Sequence, residues 1–326
     1  MTFEKPKVII SKCLGFEACY YSGQMFNIDF VDKLGKYVEY HPVCPEMEIG
    51  LGVPRQTIRI VRSKDNKKEL RLFQPKTEKE LTEKMDGFSE EFLNKFDNID
   101  GFIFKERSPS CGPKNVKVYS DVKGQVIHKD GVGFFAQKAK DKFPFAAVEG
   151  DGRLNNLQLR EHFLTKLFTF ANFRKISETK KMNDLVKFHS DNKYLLMAYD
   201  QNILKEMGRI VANHEKLNQE KVYNLYKNKL IEIFKDKPDY KSILNVLKHI
   251  FGYFKNELTS DEKEFFLNII DKYRENKVPL SVPIHLLNAW IIEYDVDYLK
   301  NQSFINPFPN ELVDLTDSGK NNDKLR

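Results

Sequence analysis

Apolar and polar positions follow two rhythms along this chain, and the rhythm changes near residue 156. Before that point short apolar runs alternate with amphipathic stretches. KVIISKC (7–13) is an apolar run that opens into a turn at YSGQ, FNIDFVDKLGKY (26–37) has helical spacing, and YVEYHPVCPE (37–46) is a second strand stopped by Pro45. QTIRIVR (56–62) and KELRLF (68–73) flank the polar SKDNK and predict a β-hairpin. Thr77 and Glu80 form a capping-box pair for a helix over EKELTEKMDGFSEEFLNKF. IDGFIFKE (99–106) is a third, strongly apolar strand, GVGFFAQKAKDKF (131–143) a helix, and PFAAVE (144–149) a fourth strand. Strands alternating with helices predict an α/β fold built on a parallel, Rossmann-like sheet.

From Leu157 onward helical periodicity takes over. Ile243, Leu247, Ile250, Phe254 and Leu258 fall on one helical face, and Thr259 with Glu262 offers a second capping box before EKEFFLNIIDKYR. Pro279 and Pro283 punctuate the chain before IHLLNAWIIEY, and INPFPNEL marks a non-helical ending. The predicted organisation is an α/β domain over 1–155, an all-helical domain over 156–315, and a polar, disordered tail over 316–326. The junction is expected to be a continuous helical connection near residues 155–180.

Length supports two domains: 326 residues exceed one ordinary core. A content of 41% hydrophobic and 31% charged residues describes a soluble globular chain. There is no apolar run of the roughly 18 residues a membrane span needs, and MTFEKPKVII lacks a signal peptide's apolar core, so the expected location is the cytoplasm. The net charge of +6 is evenly spread, with 26 Lys and Arg against 23 Asp and Glu in residues 1–155 and 27 against 24 in the rest. Neither half has the basic excess of a dedicated nucleic-acid binder. Four cysteines in such a chain do not form a disulfide framework.

Three of those cysteines share one situation. Cys13, Cys44 and Cys111 each follow the carboxyl end of a predicted strand, where open α/β sheets bind ligands. Neighbouring strands would bring these thiols together despite 30 and 66 intervening residues. Small buried hydrophobes are one reading of them. Zinc is another, although the short C-x₂₋₄-C knuckles of structural zinc sites are absent. Iron-sulfur clusters tolerate long spacings, and three thiolates on a cubane leave one iron without a protein ligand.

ISKCLGFEACYYSGQ, HPVCPEMEIGLGVPR and FKERSPSCGPKN, within about residues 5–150, resemble the signature stretches of the thiouracil desulfidase family. The resemblance implies a 4Fe-4S cluster held by Cys13, Cys44 and Cys111, with the fourth iron free to take sulfur from a substrate. It implies an enzyme that removes sulfur from a thiolated nucleobase or related small molecule by non-redox hydrolysis of the carbon–sulfur bond. Around those ligands Glu46, two residues from Cys44, is the candidate for proton transfer, ahead of Glu48 and Glu106, and Ser110 is a hydrogen-bond donor to sulfur or substrate. Arg55, Ser108 and Tyr20 are candidates for substrate contact, with Lys12, Lys105 and Arg107 as further nearby cations. Relatives often carry an arginine and an Asn or Asp in the first loop, where this chain has Tyr20 and Ser22, so its substrate preference is expected to differ. Cys19 matches no ligand of the family and is read as packing; His41 is read as structural, and the pairs His189/Lys193 and His249/Tyr253 as part of the helical packing.

FHSDNKYLLMAYDQ, NVLKHIFGYFK, IIDKYRENKVPLSVPIHLLN and YLKNQSFINPFPNEL, over about residues 185–315, resemble the YbgA-like domain. That resemblance implies a helical accessory domain. Two rival functions stay open at this point: a non-catalytic cluster module that docks a partner, and a desulfidase acting on thiolated RNA, which the charge distribution does not support. Nothing in the sequence sets the oligomeric state.

Overall fold

The computed structural model describes residues 3–63, 66 and 69–316. Its strands are β1 (Lys7–Ser11), β2 (Glu39–Val43), β3 (Arg59–Arg62), β4 (Leu70–Gln74), β5 (Lys79–Glu80), β6 (Gly101–Phe104), β7 (Val116–Tyr119), β8 (Val126–Gly131) and β9 (Ala147–Gly150). Four of them make a parallel sheet in the order β2-β1-β6-β9. Its two central strands, Lys7–Ser11 and Gly101–Phe104, are almost wholly buried. That is why they read as continuous apolar runs instead of alternating patterns. Ile9 stands opposite His41 on one side and Phe102 on the other.

Helices α1 (Asp29–Leu34), α2 (Pro45–Glu48), α3 (Thr82–Leu93), α4 (Phe134–Lys142) and α5 (Leu157–Thr179) accompany these strands. Ile9, Phe102, Phe104, Met85, Leu93, Phe135 and Ala139 share one apolar core, with Phe104 meeting Phe135 edge-on at 5.9 Å. The helix expected over 26–37 begins only at Asp29, and the Phe26 amide ahead of it donates to the Cys13 carbonyl at 2.8 Å.

Two further expectations differ from the structure. A second, five-stranded sheet, β5-β4-β3-β7-β8, joins the predicted hairpin β3/β4 to strands β7 and β8, which the sequence pattern did not reveal. The Thr77 and Glu80 capping box does not form. Thr77 bonds back to Gln74, Lys79–Glu80 pairs as a strand against β4, and α3 starts at Thr82. The strand ladder wins because it satisfies backbone groups that a helix start would leave without partners.

Residues 4–171 with the described part of 311–321 form one compact unit, and residues 172–310 form another, with α5 running through the boundary. In the first unit the buried Arg160 donates to the carbonyls of Leu154 (2.8 Å), Asp314 (2.5 Å) and Thr316 (2.7 Å). The second unit is helical: α6 (Met182–Asp191), α7 (Lys193–Tyr199), α8 (Gln201–Ala212), α9 (Gln219–Ile233), α10 (Tyr240–Phe251), α11 (Ser260–Arg274), α12 (Ser281–Glu293) and α13 (Asp297–Lys300). Phe173, Phe188 and Tyr226 pack together, as do Phe254 and Phe266 around Trp290. The Thr259/Glu262 capping box is formed at the start of α11. Pro283 lies in the first turn of α12, where a missing amide hydrogen costs nothing. The predicted tail, apart from Thr316, lies outside the described residues. Among the described residues no helix is long and apolar enough to cross a membrane.

Candidate active site

The carboxyl edge of the parallel sheet carries all three motif cysteines. Cys13 lies two residues past β1, and Cys44 directly follows β2 and heads the short helix α2 with Pro45 at its first position. Lys12 N–H donates to Val43 O at 2.9 Å, and Lys105 N–H donates to Ser11 Oγ at 2.9 Å, so the ends of β2, β1 and β6 are tied side by side. Cys111 sits in a tight turn beyond β6, closed by Gly112 N–H to Ser108 O at 2.8 Å. A Cβ on Gly112 would lie 2.7 Å from that same Ser108 oxygen and 2.5 Å from Val116 Cγ2, so the turn requires glycine for close approach.

Glu46 is the polar centre of the site. Its Oε2 accepts from Arg55 Nε at 2.6 Å, and its Oε1 accepts from Ser110 Oγ at 2.7 Å and Ser108 Oγ at 3.4 Å. Ser108 Oγ also accepts from the amides of Ser110 (3.2 Å) and Cys111 (3.1 Å), which places the Cys111 turn on the carboxylate. Arg55 is nearly buried and fully engaged: Nη1 donates to Cys19 O at 2.9 Å and Gly52 O at 3.1 Å, and Nη2 reaches Cys44 Sγ at 3.8 Å. Tyr20 meets the Phe26 ring edge-on at 5.0 Å, and burial raises its phenol. Lys105 sits 4.1 Å from the Phe26 ring centre and pairs with Asp151 at 2.5 Å. Asp151 also accepts from the Glu106 amide, while Glu106 Oε1 is buried without a hydrogen-bond partner. Burial, with Asp151 close by, raises the Glu106 carboxyl.

The four thiols are free and buried. Cys44 is pushed up by its contact with Cys19 and by burial, and Cys111 by burial, which the Ser11 hydroxyl partly offsets. Cys19, in contact with Cys13 and Cys44, is pushed up to about 11, chiefly by Cys13. Buried thiols held in the neutral form are soft donors, and a bound cation would favour their thiolates. Among the described residues no three His, Cys, Asp or Glu form a group that could hold a single metal ion. A cubane takes its ligands on separate irons, and an all-sulfur donor set is the kind such clusters use, so the residues present fit one.

Cys44, Glu46, Arg55, Ser108, Ser110 and the Cys111 turn are therefore linked across two loops, and Cys13 lies on the neighbouring loop past the end of β1. His41 is elsewhere, 4.8 Å from the Phe96 ring. Cys19, read as packing, is buried, and its carbonyl accepts from Arg55; sequence reasoning missed the Lys105–Asp151 pair.

The α/β unit thus carries soft sulfur donors, a carboxylate and a guanidinium at the carboxyl edge of its parallel sheet. Residues 8–151, which contain all of these groups, match the family model described as 2-thiouracil desulfurase. Residues 193–309 match the model of a protein family of unknown function, DUF1722. The uncharacterized protein YbgA of Escherichia coli (strain K12) is 27% identical over 136 residues, which span 41% of this chain and 80% of that protein. A solved structure described as the 4Fe-4S-dependent thiouracil desulfidase TudS is 25% identical, with 46% of this chain and 93% of that chain covered and a TM-score of 0.36. The matches fall on the two segments whose motifs carried the resemblances.

Proposed function

We propose that the α/β unit is a desulfidase that replaces the sulfur of a thiolated nucleobase or related small molecule by oxygen, and that the helical unit is an accessory domain. The observation that supports this is a buried Glu46 joined through Ser110 and Ser108 to the Cys111 turn and through Arg55 to Cys44, within a segment matching a desulfurase family. In this reading Cys13, Cys44 and Cys111 hold a 4Fe-4S cluster, which when bound supplies an iron that accepts the soft sulfur of the substrate.

The chain's own residues supply the rest. The net change is thiocarbonyl plus water to carbonyl plus hydrogen sulfide: one carbon–sulfur bond breaks, one carbon–oxygen bond forms, and no electrons are exchanged. Glu46 receives the proton released as water adds to carbon, and Ser110, 2.7 Å from Glu46 Oε1, relays it. Arg55 holds the other carboxylate oxygen, so that Oε1 is the one that works. Ser108 positions the Cys111 turn, and in this reading Tyr20, beside Phe26, offers an aromatic face to a planar heterocycle. Tyr20 stands where relatives often have arginine, and a neutral ring there favours a different thiolated compound.

Anaerobic reconstitution tests the reading. Iron and sulfide analysis is expected to find one four-iron cluster per chain, lost in Cys13→Ala, Cys44→Ala and Cys111→Ala. The holoprotein is expected to release sulfide from at least one member of a panel of thiolated bases and nucleosides without added reductant. Glu46→Gln is expected to keep the cluster and slow release by roughly 10²-fold or more. A loaded cluster with no sulfide release across the panel would sink the enzymatic assignment.

A further inference from the structure

Lys105 stands apart from the Glu46 network, yet its ammonium is fixed at the same sheet edge. The residue directly follows β6, and its own N–H is anchored on Ser11 Oγ at the end of β1. Nζ pairs with Asp151 Oδ2 at 2.5 Å and lies 4.1 Å from the Phe26 ring centre. Phe26 in turn donates its N–H to the Cys13 carbonyl at 2.8 Å and meets Tyr20 edge-on, so the ammonium is one ring away from the Cys13 loop. The other cations near the motifs are committed or exposed: Arg55 is taken up by Glu46, the Cys19 and Gly52 carbonyls and Cys44 Sγ, Lys12 pairs with Glu17, and Arg107 is exposed. Asp151 is itself held, accepting the Glu106 N–H on Oδ1 at 2.8 Å and donating its own N–H to Phe104 O at 3.0 Å. Glu106, the neighbouring acid, packs on Gly150 and Gly152, where an added Cβ would come within 2.5 and 2.9 Å of its side chain. An ammonium carries three N–H donors. Among the described residues Asp151 is its one hydrogen-bond acceptor, and the Phe26 ring faces it as a π surface. With 18% of the Lys105 side chain exposed, a donor remains for a ligand.

We propose that Lys105 is a substrate-binding residue that donates to a ring oxygen of an oxo-bearing thiolated heterocycle lying beside Phe26 and Tyr20, with Asp151 as the residue that positions the ammonium. This rests on the desulfidase reading above. A planar ring held only through its sulfur can swing about that one contact. A second bond, from a fixed cation to an oxygen elsewhere on the ring, sets which carbon meets the attacking water. It also selects for that oxygen, because a charge-assisted bond is lost outright with a ring that lacks the acceptor.

The test uses the full chain, reconstituted anaerobically as wild type, Lys105→Met and Asp151→Asn, and two ligands that have no sulfur to lose: uracil, and 2-pyrimidinone, which lacks uracil's second ring oxygen. Isothermal titration calorimetry then reads affinity without turnover, and circular dichroism reads folding. Wild type is expected to bind uracil roughly tenfold more tightly than 2-pyrimidinone, or better. Lys105→Met is expected to lose that preference by weakening uracil alone, and Asp151→Asn to reduce it by about threefold or more. Equal weakening of both ligands is what a structural role gives and would overturn the proposal, as would a preference absent from wild type or kept in Lys105→Met. If Lys105→Met does not fold, an unchanged preference in Asp151→Asn would overturn it instead. The expected preference in a wild type that releases no sulfide across the panel would remove the desulfidase reading and leave the Lys105 contact standing; sulfide release without the preference would do the reverse.

Discussion

Arg55 is the most informative residue to perturb, because it sits at the join of the carboxylate and the thiols. Its side chain is 4% exposed and that of Glu46 11%, with 2.6 Å between Nε and Oε2. At that burial the pair escapes most solvent screening, and removing one partner leaves an uncompensated charge. Arg55→Ala is expected to destabilise the α/β unit by about 3–5 kcal/mol. The Ser110 and Ser108 hydroxyls still serve Oε1, which argues for the lower end of that range. The double variant Arg55→Met with Glu46→Gln removes both charges at similar volume and is expected to cost less than the sum of its single changes by about 2 kcal/mol. Urea unfolding of the reduced, cluster-free protein, with hydrogen exchange read on peptides spanning residues 40–62, measures both quantities. A loss below about 1 kcal/mol in Arg55→Ala, with additive behaviour in the double variant, is what a screened surface pair would give and would refute the reasoning.

Three other outcomes follow from particular contacts. Gly112→Ala forces a methyl group against the Ser108 carbonyl and Val116, so it is expected to cost about 1–3 kcal/mol and lower iron loading. Gly87→Ala, in α3 with nothing within 4 Å, is the control, expected to be neutral or stabilising by up to about 1 kcal/mol in the same melting and iron assays. Arg160→Ala leaves three carbonyls without their charged donor and is expected to cost about 3 kcal/mol, with faster proteolysis of the segment around Asp314 as the measurement. Burial and the charge of Lys193 hold His189, 3.2 Å from Tyr226 Oη, below its ordinary pKa. The unfolded chain therefore binds that proton more readily, so the contribution is complete above about pH 6.5 and is lost as pH falls through the lower folded value. Denaturation followed by the single tryptophan, Trp290, is expected to show a steeper acid-side loss in wild type than in His189→Gln, and equal slopes would contradict it.

Local pattern alone determined the elements whose burial is uniform. β1, β6 and the face Ile243, Leu247, Ile250, Phe254 and Leu258 are apolar where the structure buries them, because periodicity in the chain encodes which side of an element faces the core. The capping box at Thr259 was legible for the same reason, since all its atoms lie within four residues. Strands β7 and β8 were not: they are short and half exposed, β8 pairs with β7 in an irregular register, and β7 is held by the distant β3, a partner that no window of sequence contains. The Thr77 signal was outcompeted by a ladder partner from β4. At the site, the motifs placed the cysteines after strands, but strand order decided that β2, β1 and β6 lie side by side and so bring residues 31 to 98 positions apart into one place. The engagement of Arg55 with Glu46, Cys44 and the Cys19 carbonyl, and the burial of Cys19 between exposed neighbours, are likewise products of tertiary structure. A loop residue's direction depends on what the rest of the fold presents to it, and hydrophobic periodicity carries no record of that.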